Sequence, residues 1–164
     1  MTTALRTPTA VRAPSDPTRR NVFIAGVFYL ITFAASIPAL ILLSPVLDDS
    51  AYIISSGSDT RVLWGCTLDM VNALAAVGTA VALFSVLKRR NETLALGFVT
   101  SRMLEAAIIA IGVVSLLAVV TMRQDYAGAT GPDATMAVTT GQALVAVRDW
   151  TFLLGPGLMP AFNA

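Results

Sequence analysis

The chain has no histidine and one cysteine, and Asp, Glu, Lys and Arg make up only 13% of its 164 residues. Without histidine there is no imidazole general base, no Ser-His or Cys-His pair, no HExxH zinc site and no His-ligated haem. The lone Cys66 forms no internal disulfide and no cysteine metal cluster; buried, it is a small hydrophobe. Aromatic residues are sparse at 7%, and a net charge of +1 leaves no basic footprint for nucleic acid. No motif supplies a catalytic, cofactor-binding or metal-binding residue.

The missing charge is missing in blocks. From Asn21 to Leu47 there is no Asp, Glu, Lys or Arg. Roughly 27 residues at ~1.5 Å each make a helix of about 40 Å, longer than the roughly 30 Å hydrocarbon core of a bilayer. Hydrophobic residues reach 55% and mean hydropathy is +0.73, which agrees with a chain embedded in a membrane. Its length allows one domain of a few spanning helices. The expected class is an all-α integral membrane bundle with three full transmembrane helices and a partial fourth.

The first span is expected over 22–44, with Pro38 kinking it or ending it early. The second runs 62–87 and is interrupted by Asp69; the third runs 103–122 between Arg102 and Arg123. Residues 1–20, rich in Thr, Pro and Arg, read as a disordered tail. The apolar region begins only after Arg20 and is too long for a signal-peptide core, so the first span serves as an uncleaved signal anchor.

Residues 135–164 allow two paths. One is a single tilted helix with Arg148-Asp149 in mid-course. The other, favoured here, is an amphipathic interfacial stretch over 136–149 followed by a truncated span over 150–164. That last run is uncharged but only about 22 Å long as a helix, too short to cross. It implies a chain that stops part-way through a transmembrane helix.

Cations set the orientation. The tail holds Arg6, Arg12, Arg19 and Arg20, and the 88–102 connection holds Lys88, Arg89, Arg90 and Arg102. The other connections hold Arg61 and Arg123 against Asp48, Asp49, Asp59, Asp125 and Asp133. The N-terminus and the 88–102 loop are therefore expected on the cytoplasmic side of a plasma membrane, with Trp64 and Trp150 at the outer interface. Lys88, Arg89 and Arg90 would meet anionic headgroups, while Leu94, Leu96, Phe98 and Val99 dip into the headgroup layer. The 48–61 connection reads as a solvated loop without EF-hand spacing.

Ionisable groups within a span are costly, so each is a functional candidate. Asp69, Asn72, Ala76 and Ala80 recur at helical spacing on one face, the pattern of a helix that looks inward at neighbours. Depth along the helices predicts that Asp69 faces Arg148, with Asn72 as a further hydrogen-bond partner and Asp149 nearby. The pair is a structural clamp, a proton or substrate site opening outward, or a contact at a wetted interface. Arg102 and Glu105, three apart, should form an interfacial ion pair. Glu105 lies in the leaflet opposite Asp69, so the two carboxylates make no dyad. The stretch Gly155-Pro156-Gly157 reads as a kink, with exposed ligand-binding backbone as the other possibility.

Three segments together, FYLITFAASIPALILLSPVL, VALFSVLKRRNETLALGFVTSRMLEA and DWTFLLGPGLMPAFNA, resemble a bacterial family of multi-pass membrane proteins, the domain of unknown function family 4386. The resemblance implies a helical bundle in a bacterial plasma membrane whose members continue past the AFNA-like segment into further spans. It implies no activity and transfers no catalytic residue. The expected role is non-enzymatic, through packing with lipid, with a second copy or with a membrane partner. The alternative is a small transporter using Asp69 and Arg148.

Overall fold

The computed structural model describes residues 17–56 and 58–157. Four α-helices follow one another: α1 (Pro17–Asp48), α2 (Thr60–Leu87), α3 (Glu92–Tyr126) and α4 (Gly131–Phe152). A 3-10 turn, Tyr52–Ile54, lies between α1 and α2, and a π-turn, Leu153–Gly157, prolongs α4. Among the described residues there is no strand, and α1, α2 and α3 are long and apolar enough to cross a bilayer. The protein is an all-α integral membrane protein.

The elements depart from the expected bounds in ways that have physical causes. α1 takes in Pro17–Arg20, assigned above to the tail; a proline at a first helical position lacks an N–H that would be unsatisfied there anyway. The rest of the expected tail, 1–16, lies outside the described residues. α1 also runs through Pro38 and Pro45 instead of ending. At Pro45 the compensation is visible. The missing N–H frees the Ile41 carbonyl, which accepts from Arg61 Nη2 at 2.9 Å and from Ser44 Oγ at 3.1 Å.

The 88–102 connection is not a loop either. Only Lys88–Asn91 turns the chain, and α3 begins at Glu92 because Asn91 caps it, its side chain accepting from Leu94 N–H at 3.2 Å. Leu94, Leu96, Phe98 and Val99 are therefore helical. Last, α4 passes through Arg148-Asp149 without a break. No break in the helix falls at Trp150, where the second path places its boundary; residues 158–164 of the expected truncated span lie outside the described residues.

Consecutive helices pack side by side: α1 on α2, α2 on α3, α3 on α4, while α1 and α4 hardly touch. Lipid tails are as apolar as leucine, so close backbone approach, not burial from water, holds such contacts. Glycine marks the α1–α2 and α3–α4 seams. A Cβ on Gly65 would lie 2.7 Å from the Leu43 side chain, one on Gly78 2.9 Å from Phe28, and one on Gly112 2.5 Å from Thr151 Oγ1. Ala76 and Ala80 are buried in the α2 face predicted to look inward, together with Asp69 and Asn72. Outward, α1 presents Phe23, Leu30, Phe33 and Ile41, the large apolar surface a lipid-facing helix requires.

Candidate functional site

Among the described residues two ion pairs join different elements of the bundle. The first joins α4 to α2: Arg148 Nη2 donates to Asp69 Oδ2 at 2.8 Å, with both side chains under a tenth exposed. The guanidinium also lies 5.0 Å from the Phe152 ring centroid, a cation–π arrangement. Its aliphatic stem crosses α3 at Gly112, where a Cβ would meet Arg148 Cδ at 3.0 Å. Gly112 thus lets the arginine reach α2 past α3. Thr151, on the next turn of α4, donates to the Arg148 carbonyl at 2.8 Å.

Around this pair is a recess of about 210 Å3. Asp69, Asn72, Arg148 and Thr151 supply its polar surface; Ile37, Leu40, Ile109 and Phe152 supply most of the apolar wall. The structure brings Asp69 and Arg148 together but not Asn72 with them: Asn72 is buried beside the pair and hydrogen-bonds to neither. Asp149 points elsewhere. It is exposed and lines a second recess of about 200 Å3, nearer the Tyr52 end, with Val46, Asp48, Asp49, Gln142 and Val145. Both recesses open between α1 and α4.

The second buried pair was not expected. Arg123, taken above as the cation ending the third span, is 5% exposed and pairs with Asp59. Its Nη1 also donates to the Tyr52 hydroxyl at 3.0 Å, its Nε to the Ser55 carbonyl at 3.2 Å, and the guanidinium lies 4.3 Å from the Tyr52 ring centroid. Tyr52 in turn donates to Asp59 at 3.0 Å. Asp59 stands at the N-cap of α2 yet caps no backbone N–H, because its carboxylate is engaged by Arg123 and Tyr52. Burial, then the hydrogen bond to Asp59, push the Tyr52 phenol up to about 12 against the pull of Arg123.

The 48–61 connection is thus folded, not solvated. Tyr52 and Ile53 are buried, Ile53 fills the notch left by Gly141 of α4, and Gly128 N–H donates to the Ile54 carbonyl at 3.0 Å. A tyrosine among aspartates opposite an arginine at the same end of the bundle was the signal that could have disclosed this lock.

Arg102 and Glu105 pair at 2.7 Å within α3, their side chains 13% and 7% exposed. Arg102 also stacks 5.7 Å from the Phe98 ring centroid. Among the described residues no group of three His, Cys, Asp or Glu is placed to hold a metal ion.

Helices that cross the bilayer, glycine-mediated seams and ion pairs buried between neighbours define a polytopic helical membrane protein. The chain belongs to the family described as Domain of unknown function (DUF4386), whose model matches residues 24–164. No curated protein and no solved structure matches it.

Proposed function

We propose that the protein is a non-enzymatic, multi-pass component of a bacterial plasma membrane, with its N-terminus in the cytoplasm, acting through packing with lipid, a second copy or a membrane partner. The observation that carries this reading is the Asp69–Arg148 contact. Arg148 donates to Asp69 and so ties α4 to α2, the role of a clamp that fixes helix packing. Among the described residues the ion pairs lie in separate places and do not converge on one reacting centre, which supports a role without catalysis.

Charge placement supports the orientation. Arg19, Arg20, Lys88, Arg89 and Arg90 gather at one end of the bundle, and Asp48, Asp49, Asp59, Asp125 and Asp133 at the other. Lys88 pairs with Glu92 at 3.1 Å, and Arg89 donates to Thr18 at 3.2 Å. Exposed Arg90 and its neighbours suit anionic headgroups at that surface. Reporter fusions after Arg90 and after Ala127 test the arrangement: alkaline phosphatase should be active only at the second. Activity only at the first overturns the orientation. Thermal unfolding tests the clamp, since Asp69→Asn should melt earlier than the parent in detergent.

A second reading, a small transporter with its site at Asp69 and Arg148, is favoured by the stacking of the two recesses along one seam. Cysteine at position 72 should then react with a membrane-impermeant thiol reagent added from the Tyr52 side, and stay inert if the pair is a clamp alone.

A further inference from the structure

The recess beside Arg148 opens sideways. Its α1 lip, Ile37 and Leu40, is 54% and 50% exposed, and α1 and α4 hardly touch, so the opening faces acyl chains and not the bundle axis. Its floor is unlike its lip. Asn72 is 7% exposed, lines the floor and makes no hydrogen bond to a described residue, which leaves a carboxamide donor and acceptor facing the space. Arg148 makes one side-chain hydrogen bond, to Asp69, and its Nε is buried without a partner. That Nε is closed off from the recess, so the group a ligand can pair is the Asn72 carboxamide; polar groups left unpaired in hydrocarbon are costly, and pairing this one removes its cost.

Charge and size narrow the ligand. The formal charges of Asp69 and Arg148 cancel, so an ionic head would arrive uncompensated in a poorly solvated site, whereas hydroxyl or ester oxygens meet Asn72 and the guanidinium without that penalty. A space of about 210 Å3 equals about seven water volumes at ~30 Å3 each, enough for a glycerol-sized head. Depth agrees. Asp69 lies roughly 8 Å along α2 beyond exposed Trp64. Indoles favour the membrane interface, so the floor sits where lipid head and ester groups give way to chains.

We propose that this recess binds an uncharged acylglycerol, its head oxygens on Asn72 and Arg148 and its chain leaving between Leu40, Ile37 and Phe152. The site is separate from the clamp role and needs only that the ion pair stay closed, so the test leaves Asp69 and Arg148 untouched. The full chain in phosphatidylcholine nanodiscs is photolabelled with a monoacylglycerol carrying a diazirine early in its acyl chain, and the adducts are mapped by mass spectrometry. Label should concentrate on residues 36–40 and 148–156. It should fall about five-fold or more in Asn72→Leu and in Leu40→Trp, the latter an exposed position that fills the mouth without disturbing the floor. Unlabelled monooleoylglycerol should displace the label, and oleate at equal concentration should displace far less. Label unchanged in both variants, label spread equally over residues 22–30, or oleate competing as well as the glyceride overturns the proposal.

Discussion

Cutting one side of the Asp69–Arg148 pair should cost more than cutting both. In Asp69→Leu the Arg148 guanidinium stays among Asn72, Ile109 and Phe152 with its charge uncompensated. An unpaired arginine at the centre of a bilayer costs about 2.5–3.5 kcal/mol on insertion scales, less when the side chain can snorkel. Asp69 lies about 14 Å along α2 from Thr60, short of the centre, so a loss of about 2–3 kcal/mol is expected. Neutral interhelical hydrogen bonds in bilayers average only about 0.6 kcal/mol, so a loss of that size would mean that charge plays no part. Arg148→Met leaves a buried carboxylate and should cost a similar amount. In the double variant nothing charged remains, and most of the loss should be recovered, because a buried pair and its apolar replacement are often nearly equal in stability.

The single cysteine provides the assay. Cys66 is 2% exposed and one turn from Asp69, so a thiol-reactive dye reports unfolding in detergent directly. At ~2–4 °C per kcal/mol for a chain of this size, each single variant should melt about 5–10 °C early and the double variant within about 3 °C of the parent. Losses in the single variants that simply add in the double would refute the idea that the pair acts as a unit.

Other outcomes follow from the Tyr52 end and from the seams. Arg123→Ala strands Asp59 and removes the hold on the Ser55 carbonyl, so hydrogen exchange in 52–56 should accelerate by an order of magnitude or more while α1 and α2 stay protected; uniform acceleration over the helices would count against a local lock. The Tyr52 phenol ionises at about 12 when folded against about 10 unfolded, so its stabilisation is intact below pH 10 and lost as pH rises towards 12. Tyr52→Phe should flatten that alkaline decline and remove the latest phenolate step at 295 nm. Gly112→Leu has no room beside Thr151 and Arg148 and should separate α3 from α4, seen as faster dye reaction at Cys66; an unchanged rate would mean that this seam tolerates bulk.

The spans were legible because lipid imposes a simple rule, long apolar runs with cations at one end, and α1, α2 and α3 obey it. The inward face of α2 was legible for the same reason: an aspartate in mid-span has few places to go, and small residues at helical spacing mark the route. Element ends were harder. Asn91 looked like part of a loop because a cap depends on a single side chain, and no hydropathy window registers it. The continuity of α4 was also hidden, because Arg148-Asp149 looked like a membrane boundary. The partner of Arg148 was legible even at 79 positions' distance, because depth along the helices matched it to Asp69; the continuity of the helix through the charged pair was not.

The same difficulty hid Arg123, and comparing the two arginines shows what decided each case. Both lie where a run of apolar residues meets aspartates, and both are buried against an aromatic ring, Phe152 for one and Tyr52 for the other. Arg123 is bound to Asp59, Tyr52 and the Ser55 carbonyl, so its environment is complete and its work is to hold a connection in place. Arg148 has Asp69 alone, with Asn72 unpaired beside it and a recess open to the bundle's flank. A group placed only to hold helices together has no use for spare donors in hydrocarbon, because each unpaired one works against the stability it is there to supply. Spare polar capacity that borders open space is therefore what distinguishes a site from a lock: Arg102 Nε is also buried without a partner, but it is the Asn72 carboxamide that faces the recess on the seam helix packing leaves open.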